Sequence, residues 1–260
     1  MQALECFGEV LDIVYEKHGH EHVQVARVLC HIGDIHYRLG DHDKALDLLA
    51  ESIAMSKRTC PNFDDDHSDD QSICWSLNTI GKIYDERLWH DKALVSYQDA
   101  LAHLIRTPAG KKDPCVCMLH ESIANNNFLR GDFQEALKMY HKVLKIKRRV
   151  VGNDHVDVAS ILNNIGLIHS CQGRHDKAQE MMEEALGMYI RNVCMDHGDV
   201  ASIHLNIAAC KAVQGNKEEA ADDVKEARRI LSKLNISHGP LMQRVFELMT
   251  DLEIHSGYNL

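Results

Sequence analysis

The chain has 260 residues, 45% of them hydrophobic but only 5% aromatic, with four prolines and a formal net charge of -10. That length strains a single compact core unless the chain stacks small units that each pack only on their neighbours, and so few aromatics and prolines suit stacked helices better than a loop-rich enzyme or a β-sandwich. The acidic balance argues against nucleic acid, whose phosphates demand a basic face, and favours neutral or basic partners.

Nine cysteines are an odd number. Several of them (Cys6, Cys30, Cys74, Cys171, Cys210) fall within helical patterns, where a thiol acts as a small buried hydrophobe, so a reducing, cytoplasmic setting is expected rather than a disulfide framework. The first residues lack a basic n-region and a cleavage site, and no stretch approaches the roughly 18 apolar residues of a membrane span. No membrane association is expected.

Residues 1–18 carry apolar side chains at Ala3, Leu4, Phe7, Val10, Leu11 and Val14, a helical stripe. They read as the second helix of an incomplete repeat, left without the helix that should cover it. The expectation is a chain that begins inside a longer array, with this helix weakly protected and available for self-association. The first complete helix pair spans residues 22–58, its helices parted by Gly40 as a stop and Asp41 as a start. An acidic loop insertion at 59–70 follows; its five aspartates and His67 lack the order of a calcium loop, so it reads as solvated linker.

Further pairs occupy 71–106, 114–149, 154–191 and 196–234, and 238–254 reads as a C-terminal capping helix whose charges at Arg244, Glu247, Asp251 and Glu253 form a polar outer face. The pair from Asp154 to Arg191 is the clearest copy. In it Gly166 and Ala178 are small residues twelve apart, and the same spacing recurs as Gly33/Ala45, Gly81/Ala93, Ala124/Ala136 and Ala208/Ala220. Successive second-helix alanines at 3, 45, 93, 136, 178 and 220 lie 42, 48, 43, 42 and 42 residues apart. A recurrence of that length is the mark of a helical solenoid. The basic run from Lys142 to Arg149 falls in the last turns of a helix, where cations oppose the helix dipole, and reads as a solvated helix end.

These residues resemble the tetratricopeptide repeat, and within it the 42-residue type of kinesin light chains. The resemblance rests on the small pairs above, on bulky residues at Phe7, Leu49, Tyr97, Tyr140 and Met182, and on small residues at Ala100, Ala185 and Ala227. It rests also on Gly152-Asn-Asp-His-Val-Asp-Val-Ala159 and Leu162-Asn-Asn-Ile-Gly166, with partial copies at His22 and His197. The lead-in proline of that subtype is absent, as is its heptad coiled coil. The resemblance implies an all-α, right-handed superhelical α-solenoid of antiparallel helix pairs, with first helices lining a concave groove. Its implied function is a non-catalytic interaction scaffold that binds an extended peptide or partner protein. The alternative it offers is a repeat segment of a larger protein, such as a kinesin light chain cargo adaptor or the regulatory region of a multidomain signalling enzyme.

Helical spacing then selects the groove stripes: Arg27, His31, Asp34 and Arg38; Trp75, Thr79, Lys82 and Glu86; Met118, Ser122, Asn125 and Leu129; Ser160, Asn164, Leu167 and Cys171; Ser202, Asn206, Ala209 and Val213. Their second members (His31, Thr79, Ser122, Asn164, Asn206) are polar in every repeat, as an extended peptide backbone would require. Charge marks the first two stripes, whereas the last two are neutral to apolar, with Leu167 and Val213 placed to take apolar side chains. The carboxylate clamp of some relatives is not reproduced by Arg27, Arg38, Asn78 and Lys82. No catalytic motif is present, and neither the HGHEH nor the CVC cluster supplies the four ligands of a zinc site. Neither metal nor cofactor is expected, and histidines at repeat turns (His22, His155, His197) are expected to cap or pack.

Overall fold

The computed structural model describes residues 2–59, 68–106 and 114–253. Twelve α-helices and no strand occur among these residues: α1 (Gln2–His18), α2 (Val23–Arg38), α3 (His42–Thr59), α4 (Ser68–Glu86), α5 (His90–Leu104), α6 (Pro114–Leu129), α7 (Phe133–Val151), α8 (Val156–Cys171), α9 (His175–Asn192), α10 (Gly198–Val213), α11 (Lys217–Lys233) and α12 (Pro240–Asp251). The fold is an all-α solenoid of antiparallel helix pairs, each short turn returning the chain beside the helix it has just left. Residues 60–67 of the expected acidic insertion lie outside the described residues.

The described chain divides into two compact units, Met1–Met139 and Tyr140–Leu260. In the first, α1 lays Leu11, Val14 and Tyr15 against Val25, Ala26 and Leu29 of α2 and Met55 of α3. Val10 and Ile13 stay exposed on its other side. The core continues through Cys30, Ala45, Leu49, Ile80 and Ile83 to a cluster of Ala93, Tyr97 and Ile123. In the second unit Val158, Ile161, Leu162, Ile165 and Ile168 of α8, Met182 of α9, and Ile203, Leu205 and Ile207 of α10 are buried.

The small residues do what their spacing promised. A Cβ built on Gly33 would lie 2.8 Å from Leu49, one on Gly81 2.5 Å from Tyr97, and one on Gly166 2.9 Å from Met182. Helix pairs therefore approach more closely than an alanine at these sites would allow, and Ala45, Ala93 and Ala178 opposite them are fully buried. At the repeat turns, Gly40, Gly131, Gly173 and Gly215 take φ between 73° and 87°, the left-handed region that ends a helix cheaply only for glycine.

The turn histidines cap helices. His22, His155 and His197 each accept a hydrogen bond at Nδ1 from the backbone N–H two residues on, at 3.2, 3.1 and 3.2 Å, and so satisfy one free donor at the starts of α2, α8 and α10. Past α11, Met242, Val245 and Met249 of α12 are buried. Gln243, Glu247 and Thr250 stand exposed where α10 carries buried Ala201, Leu205 and Ala208 one 42-residue step earlier.

Candidate functional site

The first helices of the pairs carry the stripes selected from spacing, and burial sorts those residues into open and closed positions. In the first unit His31 is exposed, Arg27 and Asp34 are half-buried, and exposed Arg38 is spent on Asp34 at 2.7 Å. Trp75 and Asn125 are exposed and Lys82 is half-buried. In the second unit Asn164 and Leu167 are half-buried, while Val213 is 69% exposed.

The polar ladder departs from expectation in depth. Thr79, Ser122 and Asn206 are buried, with Thr79 only 2% exposed, so these three do not stand open as the spacing suggested. The physical reason is that they lie in the seams between successive first helices, where two have found partners in the preceding repeat. Ser122 Oγ donates to Asn78 Oδ1 at 2.9 Å, and Asn206 Nδ2 donates to Asn163 Oδ1 at 3.0 Å. Asn78 and Asn163 each sit three residues before the small-residue site of their helix, so the same inter-repeat pin is present in both units.

In the second unit this pin extends to a residue the stripe reading missed. Arg244 of α12 donates through a guanidinium nitrogen to Asn206 Oδ1 at 3.0 Å. Its guanidinium is half-buried and has no carboxylate within ion-pair distance among the described residues. Burial alone lowers its pKa, against the pull of Glu247. One signal could have found it: Ser160, Ser202 and Arg244 are spaced by 42, so continuing the stripe one step reaches it.

Other polar groups serve as struts. Asp85 Oδ1 receives Asn126 Nδ2 at 2.7 Å and faces His90 Nδ1 at 2.8 Å, and Tyr97 donates to Asp85 Oδ2 at 2.9 Å, joining α4, α5 and α6. Burial, then the Asp85 charge, pushes the Tyr97 phenol far up. Asp223 on α11 holds His204 and Lys211 of α10 at 2.7 and 2.9 Å. Burial works to raise its pKa, yet these two bonds hold the carboxyl below the ordinary range. Among the described residues no group of three or more His, Cys, Asp or Glu side chains could hold a metal ion, and no helix is long and apolar enough to cross a membrane.

Stacked helix pairs, small residues at the close approaches, and polar side chains repeated along the first helices define a helical-repeat protein. A tetratricopeptide-repeat family model matches residues 1–58 and 115–191, and a second such model matches 163–233. The chain belongs to the tetratricopeptide-repeat family. No curated protein sequence matches it. Among solved structures, BtubC (BKLC) from P. vanneervenii is similar with a TM-score of 0.73 and 21% identity over 92% of both chains. A kinesin-light-chain-like protein of nearly identical repeats from Podosopora anserina gives 0.64 and 16%, over 83% of this chain and 99% of that one. The apo quorum sensor NprR from B. thuringiensis gives 0.68 and 16%, over 95% and 64%. At these identities the likeness is one of fold.

Proposed function

We propose that the chain is a non-catalytic protein-interaction scaffold, and that the first-helix face of the second unit binds an extended segment of a partner. The observation that carries this reading is Arg244, a half-buried cation whose guanidinium is satisfied in part by the neutral Asn206 amide. A desolvated guanidinium gains most from a carboxylate, so at this point, against the preference for neutral or basic partners expected from the net charge of -10, the segment presents an acidic side chain or its own C-terminus. Half-buried Leu167 and exposed Val213 offer apolar contact further along the first helices of this unit, and Asn164 is half-buried on the same face. A Rap protein solved in complex with competence and sporulation factor is another structural neighbour, at a TM-score of 0.63 and 12% identity, and gives a precedent for a bound partner on a similar fold.

The test is to pan a random peptide display library on the full chain and titrate the best binder against wild type, Arg244→Ala and Val213→Asp. Arg244→Ala is expected to lose about 1–3 kcal/mol of binding, the range for a charged hydrogen-bond partner removed from a part-buried site. Val213→Asp is expected to weaken it further. Affinity unchanged in both variants, with helicity intact by circular dichroism, overturns the reading.

A further inference from the structure

The turn between α4 and α5 departs from its counterparts. Where four other turns use glycine, this one holds Leu88 at φ 61°, and the leucine side chain is 77% exposed. A side chain with a Cβ is disfavoured in that backbone region, and here burial returns nothing for it. Trp89, the next residue, is 45% exposed. Its ring is nonetheless held: the Lys92 ammonium lies 4.5 Å from the ring centroid and the Arg87 guanidinium 5.6 Å away.

Charge around this apolar pair is unevenly spent. Arg87 is paired with Asp43 at 2.5 Å, and Arg130 with Asp91 and Asp132, both at 3.4 Å. Lys92 has no carboxylate within ion-pair distance among the described residues, and meets the rings of Trp89 and, at 5.9 Å, Tyr84. Leu88, Trp89, His90, Asp91, Lys92 and Arg130 line an open depression of about 620 Å³, in which the Asp91 carboxylate is drawn onto Arg130.

We propose that this turn is a second docking site, separate from the first-helix face, for a protein segment that carries an aliphatic side chain next to a carboxylate. Leu88 and Trp89 supply the apolar anchor, of the kind that concentrates energy in interfaces. The stacked lysine fixes the indole in advance, so little rotamer freedom is lost on docking. Lys92, the one cation of this lining with no direct ion pair among the described residues, is the group that receives the carboxylate.

The probe is a short fluorescein-labelled peptide alternating leucine and aspartate, titrated into the full chain by fluorescence anisotropy. Two control peptides replace aspartate by lysine or leucine by serine. Wild type is expected to bind the probe and to bind each control at least roughly tenfold more weakly. Leu88→Gly is expected to weaken probe binding by a similar factor while leaving Tm unchanged or raised, because glycine suits that backbone. Lys92→Glu is expected to lose binding as well. Arg244→Ala is expected to leave it unchanged, which separates this site from the one proposed above. Probe binding to Leu88→Gly at wild-type strength, a lowered Tm in that variant, or equal binding of the lysine control overturns the proposal.

Discussion

His169 shows how a single buried side chain sets a pH response. Burial, with repulsion from Lys177, Arg174 and His141, holds its imidazole below the ordinary 6.5, so the folded chain prefers it neutral. The unfolded chain takes up a proton at the ordinary value, before the folded chain does. The contribution of His169 to stability is therefore full above about pH 6.5 and is lost as pH falls through the lowered folded value. His169→Asn, which copies buried Asn127 at the same place in α6, is expected to flatten the fall of Tm between pH 7.5 and 5. Parallel curves for wild type and variant would show that the acid response arises elsewhere.

At the scale of the helix pair, the decisive contacts are those between small residues and the bulky side chains facing them. Gly81→Ala would set a methyl 2.5 Å from the Tyr97 ring, and the ring cannot swing aside without giving up the bond from its hydroxyl to Asp85. The expected cost is about 1–3 kcal/mol of stability by urea denaturation, the range for overpacking a closely fitted core. Gly81→Ala with Tyr97→Leu should recover part of it, and a variant as stable as wild type would show that α4 and α5 can separate freely. This element was legible in the sequence because the close approach is written twice, in Gly81 and in Ala93 twelve residues later, and then again in each pair. The polar ladder was legible only as a stripe. Helical spacing gives direction around an axis but not depth, and the burial of Ser122 and Asn206 depends on Asn78 and Asn163, more than forty residues earlier. Arg244, read as part of the polar outer face of the last helix, is instead half-buried for the same reason, since its partner Asn206 lies in the previous repeat. The turn histidines were expected to cap or pack, and only the structure separates the two: each accepts a free N–H at a helix start.

Among the described residues, side-chain bonds that join repeats reach about one repeat. Tyr37 to Glu86, Ser122 to Asn78, Asn206 to Asn163, and Gln214 to Asp176 all span between 38 and 49 residues. A chain held together in this way has a stability close to a sum over pairs and their nearest neighbours, unlike a globular domain in which every element touches one core. A lesion should then be felt locally. In Gly81→Ala, hydrogen exchange is expected to quicken in α4, α5 and α6, whereas α10 and α11, anchored by Asp223 to His204 and Lys211, keep their wild-type protection. The same logic predicts that urea unfolding followed by Trp89 fluorescence in a Trp75→Phe background has a midpoint different from that of helicity loss in far-UV circular dichroism. Uniformly faster exchange in every helix of Gly81→Ala, together with coincident transitions by both probes, would mean that the array unfolds as one cooperative body and that the nearest-neighbour account is wrong.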